Sequence, residues 1–223
     1  MSLTQLPRIA PLVLLLASSS ILAQAQTRSR SDTQEWNDVQ IAAPVTKTID
    51  FVFYGTLRMG RNITHSVDER IGAGFSFKLG KYLTVVPWYL HIRTQPFESV
   101  RAYENRLNLA GTIRFPVRRF TISDRNLLER RLRHPGVDAT RYRNRLQVDH
   151  PFNFGKTKLT GFASDEVFYD SSFDAWVRNR FAVGISKVWN KQITTDVYYL
   201  RQNDGHTRPG DLHVIGTTFR IRL

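Results

Sequence analysis

The sequence predicts an all-β fold, and three observations support this prediction. From residue 46 onward, apolar and polar residues alternate with a period of two in segment after segment, as in strands with one apolar face. No stretch there shows the sustained i, i+3, i+4, i+7 apolar spacing of an amphipathic helix. The alternating segments are mostly 12 to 17 residues long, whereas strands of globular proteins usually have about 5–6 residues. A tilted strand that crosses a bilayer needs about 9–11 residues, so these lengths favour a membrane-spanning β-barrel.

The first 25 residues predict a signal peptide. They contain one cation, Arg8, then the apolar run from Ile9 to Leu16 and a Ser/Ala stretch that ends in Ala23-Gln24-Ala25. A basic, an apolar and a small-residue region in this order are typical of an export signal with an A-x-A cleavage site. Ser18 to Ser20 interrupt the apolar run, which is too short for a membrane helix of about 20 residues. We therefore expect export and a mature chain that starts at Gln26.

The composition limits what the rest of the chain can be. The chain has 223 residues, of which 41% are hydrophobic and 12% aromatic, and this suits one folded domain. The absence of cysteine excludes a disulfide scaffold and a cysteine-ligated zinc site. The net charge is +13, and 25 of the 32 basic residues are arginine, which favours fixed, hydrogen-bonding cations. We expect a flexible segment at residues 26–34 and a barrel at residues 35–223, and export makes nucleic acid an unexpected partner.

Eleven alternating segments follow one another along the chain. In the fourth, for example, Trp88, Leu90 and Ile92 share the apolar face, and His91 is expected on the opposite, inward face. Bacterial single-chain barrels have even numbers of strands. We therefore expect a closed antiparallel transmembrane β-barrel of about twelve strands, with one more strand near residues 27–34, and ten strands as the alternative. The eleven segments are residues 35–43, 46–59, 66–79, 82–95, 99–115, 118–132, 139–152, 157–169, 173–188, 191–203 and 211–223.

The connections between the segments predict the compartment. Short connections, such as Gly155-Lys156 and Asn190-Lys191, alternate with longer ones, such as His134 to Asp138 and Asp204 to Pro209. Short turns at one rim and longer loops at the other are typical of an outer-membrane barrel. A closed barrel is also the sheet that pairs every backbone N–H and C=O group within lipid. We expect the protein in the outer membrane of a Gram-negative-type bacterium, with outer-membrane lipid as its surroundings.

The last segment predicts a further partner. Gly216 to Leu223 alternates apolar and polar residues up to the last residue, as a strand recognised by the barrel-assembly machinery would, although Leu223 stands where a terminal Phe is usual. The alternative is an ordinary edge strand of a periplasmic sandwich. A long apolar edge exposed to water would invite aggregation, which disfavours that alternative.

Repeated arginines predict the content of the lumen. Three segments share an Asn-Arg-apolar sequence, at Asn105-Arg106, Asn144-Arg145 and Asn179-Arg180, and residues 124–131 contain a variant of it. Because successive residues of a strand point to opposite faces, each arginine opposite the apolar face is expected in the lumen. This sorting predicts eleven arginines and four carboxylates as lumen-lining residues: Arg106, Arg114, Arg125, Arg131, Arg141, Arg143, Arg145, Arg178, Arg180, Arg220, Arg222, Glu104, Glu129, Asp149 and Glu166.

Two functions fit such a lumen. An excess of arginines over carboxylates gives a positive field that selects anions, so passive passage of small anions or acidic solutes is the leading hypothesis. Small anionic solutes are then the expected partners. The alternative is a closed barrel that acts as a structural or interaction scaffold, in which guanidinium groups and carboxylates form one hydrogen-bonded network.

The sequence does not predict an enzyme. Asp149 and His150 are adjacent in one strand and therefore point to opposite faces. His65 lies near Ser66 and Asp68 in a predicted loop, the place where a rim-located lipid-modifying hydrolase could assemble a site. The chain has no HExxH, G-x-S-x-G or phosphate-loop motif and no metal-ligand spacing. We therefore expect no catalytic residue, no metal site and no cofactor.

Several strand motifs resemble a known family. The resemblance covers residues 36–223 and implies an exported bacterial outer-membrane barrel without an established activity, so it supplies no catalytic residues. The chain is similar to the domain of unknown function 2490 family in the motifs Leu127-Leu128-Glu129-Arg130-Arg131, Tyr142-Arg143-Asn144-Arg145-Leu146, Glu166-Val167-Phe168-Tyr169 and Asn179-Arg180-Phe181-Ala182-Val183-Gly184.

Overall fold

The structure, a computed structural model, describes residues 30–223. The predicted signal peptide and residues 26–29 lie outside the described residues. In the described range no helix is long and apolar enough to cross a membrane. This range forms eleven strands: β1 (Ser31–Pro44), β2 (Ile49–Gly60), β3 (His65–Leu79), β4 (Leu83–Phe97), β5 (Val100–Val117), β6 (Phe120–His134), β7 (Ala139–Phe154), β8 (Thr157–Asp170), β9 (Ala175–Val188), β10 (Ile193–Asp204) and β11 (Asp211–Arg222).

The eleven strands close into one barrel. Each strand pairs antiparallel with the next one along the chain, and β1 pairs with β11 in parallel over residues 31–42 and 211–222. The predicted counts of twelve and ten strands are therefore both wrong for the described residues. An antiparallel series reverses direction at every strand, so the first and last of an odd number run the same way. A parallel ladder supplies the backbone hydrogen bonds that close such a barrel.

The barrel begins earlier than the alternation indicated. Residues 31–34, placed in the predicted flexible segment 26–34, belong to β1 and pair with residues 211–214 of β11. The sequence there is Ser31-Asp32-Thr33-Gln34, which has no apolar alternation because the outward positions at this rim are polar too. The segment marked at residues 35–43 left out these first four residues for that reason.

The inner and outer faces follow the alternation, with β4 as a correction. Leu90 and Ile92 are buried inside the barrel, with 8% and 2% exposure, and Tyr89 is 45% exposed on the outside. His91 faces outward as well, with its Nδ1 2.9 Å from Asn105 Oδ1, so the predicted faces of β4 were inverted. Both faces of this strand are apolar over much of its length, and alternation alone cannot tell which of two apolar faces points inward.

Glycines in β3 make room for the inward side chains of β4. Gly72 and Gly74 lie opposite Leu90 and Trp88 in the β3–β4 register. A Cβ atom added to Gly74 would lie 2.5 Å from Trp88 Cβ and 2.6 Å from Trp88 Cα. Large residues in one strand therefore pack against residues without side chains in the next, and the two backbones approach closely.

Candidate functional site

The inner face of the barrel carries the charged side chains that the alternation selected. Most of them meet at mid-height, in a group that we call the central layer. The others lie between this layer and the rim that carries Leu223. Arg114, Arg145, Asp149 and Arg220 border the space there. Arg125 lies opposite Arg145 in the neighbouring strand, and Arg222 bonds Asp50 at that rim. The central layer consists of Trp36, Arg58, Glu104, Arg106, Glu129, Arg131, Arg141, Arg143, Glu166, Phe168, Arg178 and Arg180.

Glu129 is the carboxylate on which this layer converges. It projects from β6 and is 1% exposed. Its oxygens accept hydrogen bonds from Arg106 Nη1 at 3.1 Å, Arg141 Nε at 2.5 Å and Arg143 Nη1 at 2.9 Å. These arginines come from β5 and β7, the strands on either side of β6. One carboxylate therefore holds three guanidinium groups, each in a charge-assisted hydrogen bond.

Two further carboxylates extend the network around the lumen. Glu104 accepts from Arg106 Nε at 2.7 Å and from both Nε and Nη2 of Arg131, at 2.8 and 2.9 Å. Glu166 accepts from Arg143 Nη2 at 2.7 Å. Because Arg106 and Arg143 each bond two carboxylates, the ion pairs form one continuous network instead of separate bridges.

Two aromatic rings complete the layer. Phe168 is 1% exposed, and the guanidinium groups of Arg143 and Arg180 lie 4.5 and 4.9 Å from its ring centroid. The guanidinium groups of Arg58 and Arg180 lie 3.6 and 4.8 Å from the ring centroid of Trp36. Desolvated cation–π contacts of this kind stabilise a guanidinium that has few carboxylate partners. Arg180 is such a case, since its Nε donates to Gln202.

The central layer separates two cavities inside the barrel. The C-terminal cavity, of about 420 Å3, lies toward the rim of Leu223, and the loop-side cavity, of about 310 Å3, lies toward the opposite rim. Both border Trp36, Arg58, Arg143 and Arg180. In an open, water-filled lumen these side chains would be accessible to water. Trp36, Arg58 and Arg180 are instead 3%, 9% and 8% exposed, and the side chain of Arg143 is 14% exposed, so side chains occupy most of the lumen at this height.

Several lumen carboxylates were not selected from the sequence, among them Asp68, Asp170 and Asp204 near one rim. Asp68 pairs with Arg70 at 2.6 Å, Asp170 pairs with Arg131 at 2.7 Å and Asp204 pairs with Arg178 at 2.6 Å. The same alternation could have found them, because each has the parity of an inward residue in its strand. They lie near the strand ends at one rim, where the apolar pattern fades. With them included, the lumen holds a smaller excess of arginine than the sequence indicated.

The asparagines of the Asn-Arg sequences point away from the lumen. Asn144 Nδ2 donates to Asp124 at 2.6 Å, and Asn179 Nδ2 donates to Asp165 at 2.8 Å, on the outer wall. Each repeat therefore places an arginine inside and an amide outside at about the same height. The polar pairs interrupt an outer surface that otherwise carries many exposed apolar side chains.

The residues considered for a hydrolase site have separate partners. His65 Nδ1 lies 2.8 Å from Thr64 Oγ1, Ser66 donates to Glu69 at 3.0 Å, and Asp68 faces inward to Arg70. The loop-side constellation is therefore not assembled. Among residues 30–223, no group of three or more His, Asp or Glu side chains is placed to hold a metal ion.

Fold and site together define an eleven-stranded closed β-barrel with a charged lumen. The chain belongs to the family described as Protein of unknown function (DUF2490), whose model matches residues 33–212. The resemblance read from the strand motifs is thereby confirmed. A search of curated proteins gives no significant match.

Two solved structures show a weak similarity to this chain. LpxR from Salmonella typhimurium is 8% identical in sequence, with a TM-score of 0.47 over 78% of this chain and 83% of that one. An anion-selective porin from Comamonas acidovorans is 11% identical, with a TM-score of 0.40 over 79% of this chain and 54% of the porin.

Proposed function

We propose that the protein is an outer-membrane β-barrel. Its strands have 12 to 18 residues, long enough to cross a bilayer at a tilt. Its outer wall exposes large apolar side chains around the barrel, including Ile71, Leu107, Phe181 and Ile215. Closure by the β1–β11 ladder leaves no unpaired sheet edge, which lipid requires. The predicted signal peptide supports delivery to that compartment.

We further propose that the barrel is closed at mid-height and acts as a scaffold in the membrane. The observation that carries this proposal is the burial of Glu129 and Phe168, each 1% exposed, in the central layer. A water-wide passage would have to separate Glu129 from three guanidinium groups or move Phe168 out from among them. Breaking a buried ion pair costs about 3–5 kcal/mol, so the layer resists opening.

Passive passage of small anions is the second candidate. It is favoured by the arginines that have no carboxylate partner among residues 30–223, such as Arg114 and Arg145 in the C-terminal cavity. Such charges give a positive field that attracts anions. Passage would require that the central layer rearranges in the membrane.

Planar-bilayer recordings with the purified protein distinguish the two candidates. The closed barrel is expected to show no steady conductance. An anion passage would show a steady conductance with chloride preferred over potassium, and the preference would weaken as salt rises, because exposed charges are screened within about 8 Å at 0.15 M. A triple variant, Arg106→Glu, Arg145→Glu and Arg180→Glu, would shift the preference of such a passage toward cations.

The Arg130→Gln variant is the matched control. Arg130 is an exposed arginine on the outer wall of β6, paired with Asp138 at 3.7 Å, so its loss leaves the lumen unchanged. A steady, chloride-selective conductance in both wild type and this control would contradict the closed barrel. A shift of that preference toward cations in the triple variant would establish anion passage.

A further inference from the structure

Two arginines face each other across the neighbouring strands β6 and β7. Arg125 and Arg145 are directly opposite in the register, and like charges in that position destabilise a sheet. Neither guanidinium has an ion-pair partner among residues 30–223, whereas Arg143 in the same strand pairs with both Glu129 and Glu166. The Nε of Arg145 is buried and has no hydrogen-bond partner in this range. Glu166 lies opposite Arg145 in the β7–β8 register, but its carboxylate bonds Arg143. The fold therefore brings two guanidinium groups together without giving either a carboxylate of its own.

Arg145 borders the C-terminal cavity. The cavity has a volume of about 420 Å3, within the range of about 300–1,000 Å3 that is usual for small-molecule sites. Arg114, Gln147, Thr160 and Ser164 also line it. These side chains supply guanidinium, amide and hydroxyl groups, so the cavity offers hydrogen bonds to a strongly polar molecule and little apolar surface.

Other charges at this cavity are already neutralised or bonded. Arg220 pairs with Asp196 at 2.6 Å, and Asp149 accepts a hydrogen bond from Gln147 at 2.7 Å. Arg114 has no carboxylate partner within the described range. Arg125 has a cation–π contact, with its guanidinium 5.5 Å from the ring centroid of Trp88, but no ion pair within residues 30–223. Of the described residues, six arginines and four carboxylates line the cavity, so an excess of positive charge remains around Arg145.

We propose that the C-terminal cavity binds a small molecule with a phosphate group, held by Arg145 and Arg114. A guanidinium presents a planar fork of N–H donors that matches two phosphate oxygens. The hydroxyl and amide groups of Thr160, Ser164 and Gln147 suit the hydroxyl groups of a phosphorylated polyol. The bound dianion also offsets the repulsion between Arg125 and Arg145. This inference goes beyond the closed barrel, because binding does not require conductance.

Calorimetric titration of the folded, detergent-solubilised protein tests the proposal. The probes are inorganic phosphate and glycerol 3-phosphate. Both are expected to bind and to raise the thermal unfolding midpoint, and the ester is expected to bind more tightly because its hydroxyl groups reach the polar wall. Equal affinity for inorganic phosphate and glycerol 3-phosphate would show that the site recognises the phosphate group alone. That result would overturn the proposal that the ligand is a phosphorylated polyol.

The Arg145→Gln variant separates binding from folding. It is expected to bind phosphate about tenfold more weakly or worse, the loss expected when a hydrogen bond to a charged group is removed. Its midpoint without ligand should stay close to that of wild type, because the loss of the repulsion with Arg125 offsets the loss of the attraction to Glu166 across the β7–β8 pair. Arg125→Gln is a second variant. It removes the same repulsion, but Arg125 is not part of the cavity wall, so a smaller loss of phosphate binding is expected.

The outer-wall variant Arg130→Gln is the matched control and should bind both probes as wild type does. Equal phosphate binding by wild type and Arg145→Gln would overturn the proposal, and so would the absence of binding to wild type. Equal affinity for sulfate and phosphate would overturn the assignment to phosphate. A conducting barrel that still binds phosphate through Arg145 would contradict the closed-barrel proposal alone, so the two proposals fail separately.

Discussion

At the scale of single residues, one carboxylate, Glu129, stabilises several of the arginines in the lumen. Glu129 accepts hydrogen bonds from three arginines and is surrounded by protein on all sides. Removing one partner from a buried ion pair leaves a charge that neither water nor protein compensates. The loss of Glu129 would leave Arg141 without a carboxylate and would remove one of the two carboxylate partners of both Arg106 and Arg143. The network therefore depends on Glu129 more than on any one arginine bonded to it.

We predict that Glu129→Gln lowers the free energy of unfolding by about 3–5 kcal/mol. Glutamine preserves the size of the side chain but cannot neutralise Arg106, Arg141 and Arg143. Urea unfolding of the refolded barrel in detergent measures the change. The control is Glu98→Gln, since Glu98 is a carboxylate with an 87% exposed side chain that lies 3.7 Å from Arg61. Its loss should change the free energy by at most about 1 kcal/mol. Similar values for the two variants would contradict the central role of Glu129.

At the scale of elements, the β3–β4 pair shows how neighbouring strands determine a face together. The inward residues of β4 are large, and the residues opposite them in β3 are Gly72 and Gly74. The free volume beside β3 therefore accepts Trp88 and Leu90. A small barrel interior is filled by side chains in this way, with large residues beside small ones.

We predict that Gly74→Ala destabilises the barrel by about 1–3 kcal/mol, the usual cost of overpacking. The added Cβ would collide with Trp88 Cα and Cβ and with the backbone oxygen of Pro87, so the strands must move apart. Gly111→Ala in β5 is the matched control, because a Cβ there has no atom within 4 Å, and its effect should stay within about 0.5 kcal/mol. Equal effects of the two changes in urea unfolding would refute the close approach of β3 and β4.

At the scale of the whole molecule, the parallel β1–β11 ladder sets the strand number. It joins twelve residues of each strand. With β1 and β11 running in the same direction, Arg30 lies at the loop-side rim and Leu223 at the opposite rim. A twelfth strand between β1 and β11 would separate these two strands by about 10 Å, twice the usual spacing of about 4.8 Å between neighbouring strands.

We predict that cysteines replacing Val39 and Phe219, which are paired in the β1–β11 register, form a disulfide on oxidation. Adjacent strands bring Cα atoms within the 4.4–6.8 Å that a disulfide needs, and the chain has no other cysteine. Boiled, non-reduced protein should then migrate differently from reduced protein in a denaturing gel.

The control for this cross-link replaces Val39 and Ile215 by cysteine. Ile215 pairs with Glu35, four residues and about 13 Å along the strand from the level of Val39, so no cross-link is expected. A folded Val39→Cys, Phe219→Cys variant that does not cross-link would show that β1 and β11 are not neighbours.

The sequence by itself determined the parts of the fold that depend on local periodicity. All eleven segments marked by alternation correspond to strands, with ends that differ by a few residues. The inward arginines, such as Arg106 and Arg180, follow from the same period of two, because a strand turns alternate side chains to opposite faces whatever lies beside it. The family resemblance came from the same strand motifs.

The tertiary structure decided what depends on neighbours distant in sequence. The inward face of β4 depends on the glycines of β3, and the number of strands depends on how β1 meets β11. Whether lumen charges attract ions or hold one another depends on distances across the barrel, which no single strand contains. Glu129 and Phe168 are buried because arginines from both sides converge on them. Closure of the barrel brings these groups together, and local alternation carries no information about that closure.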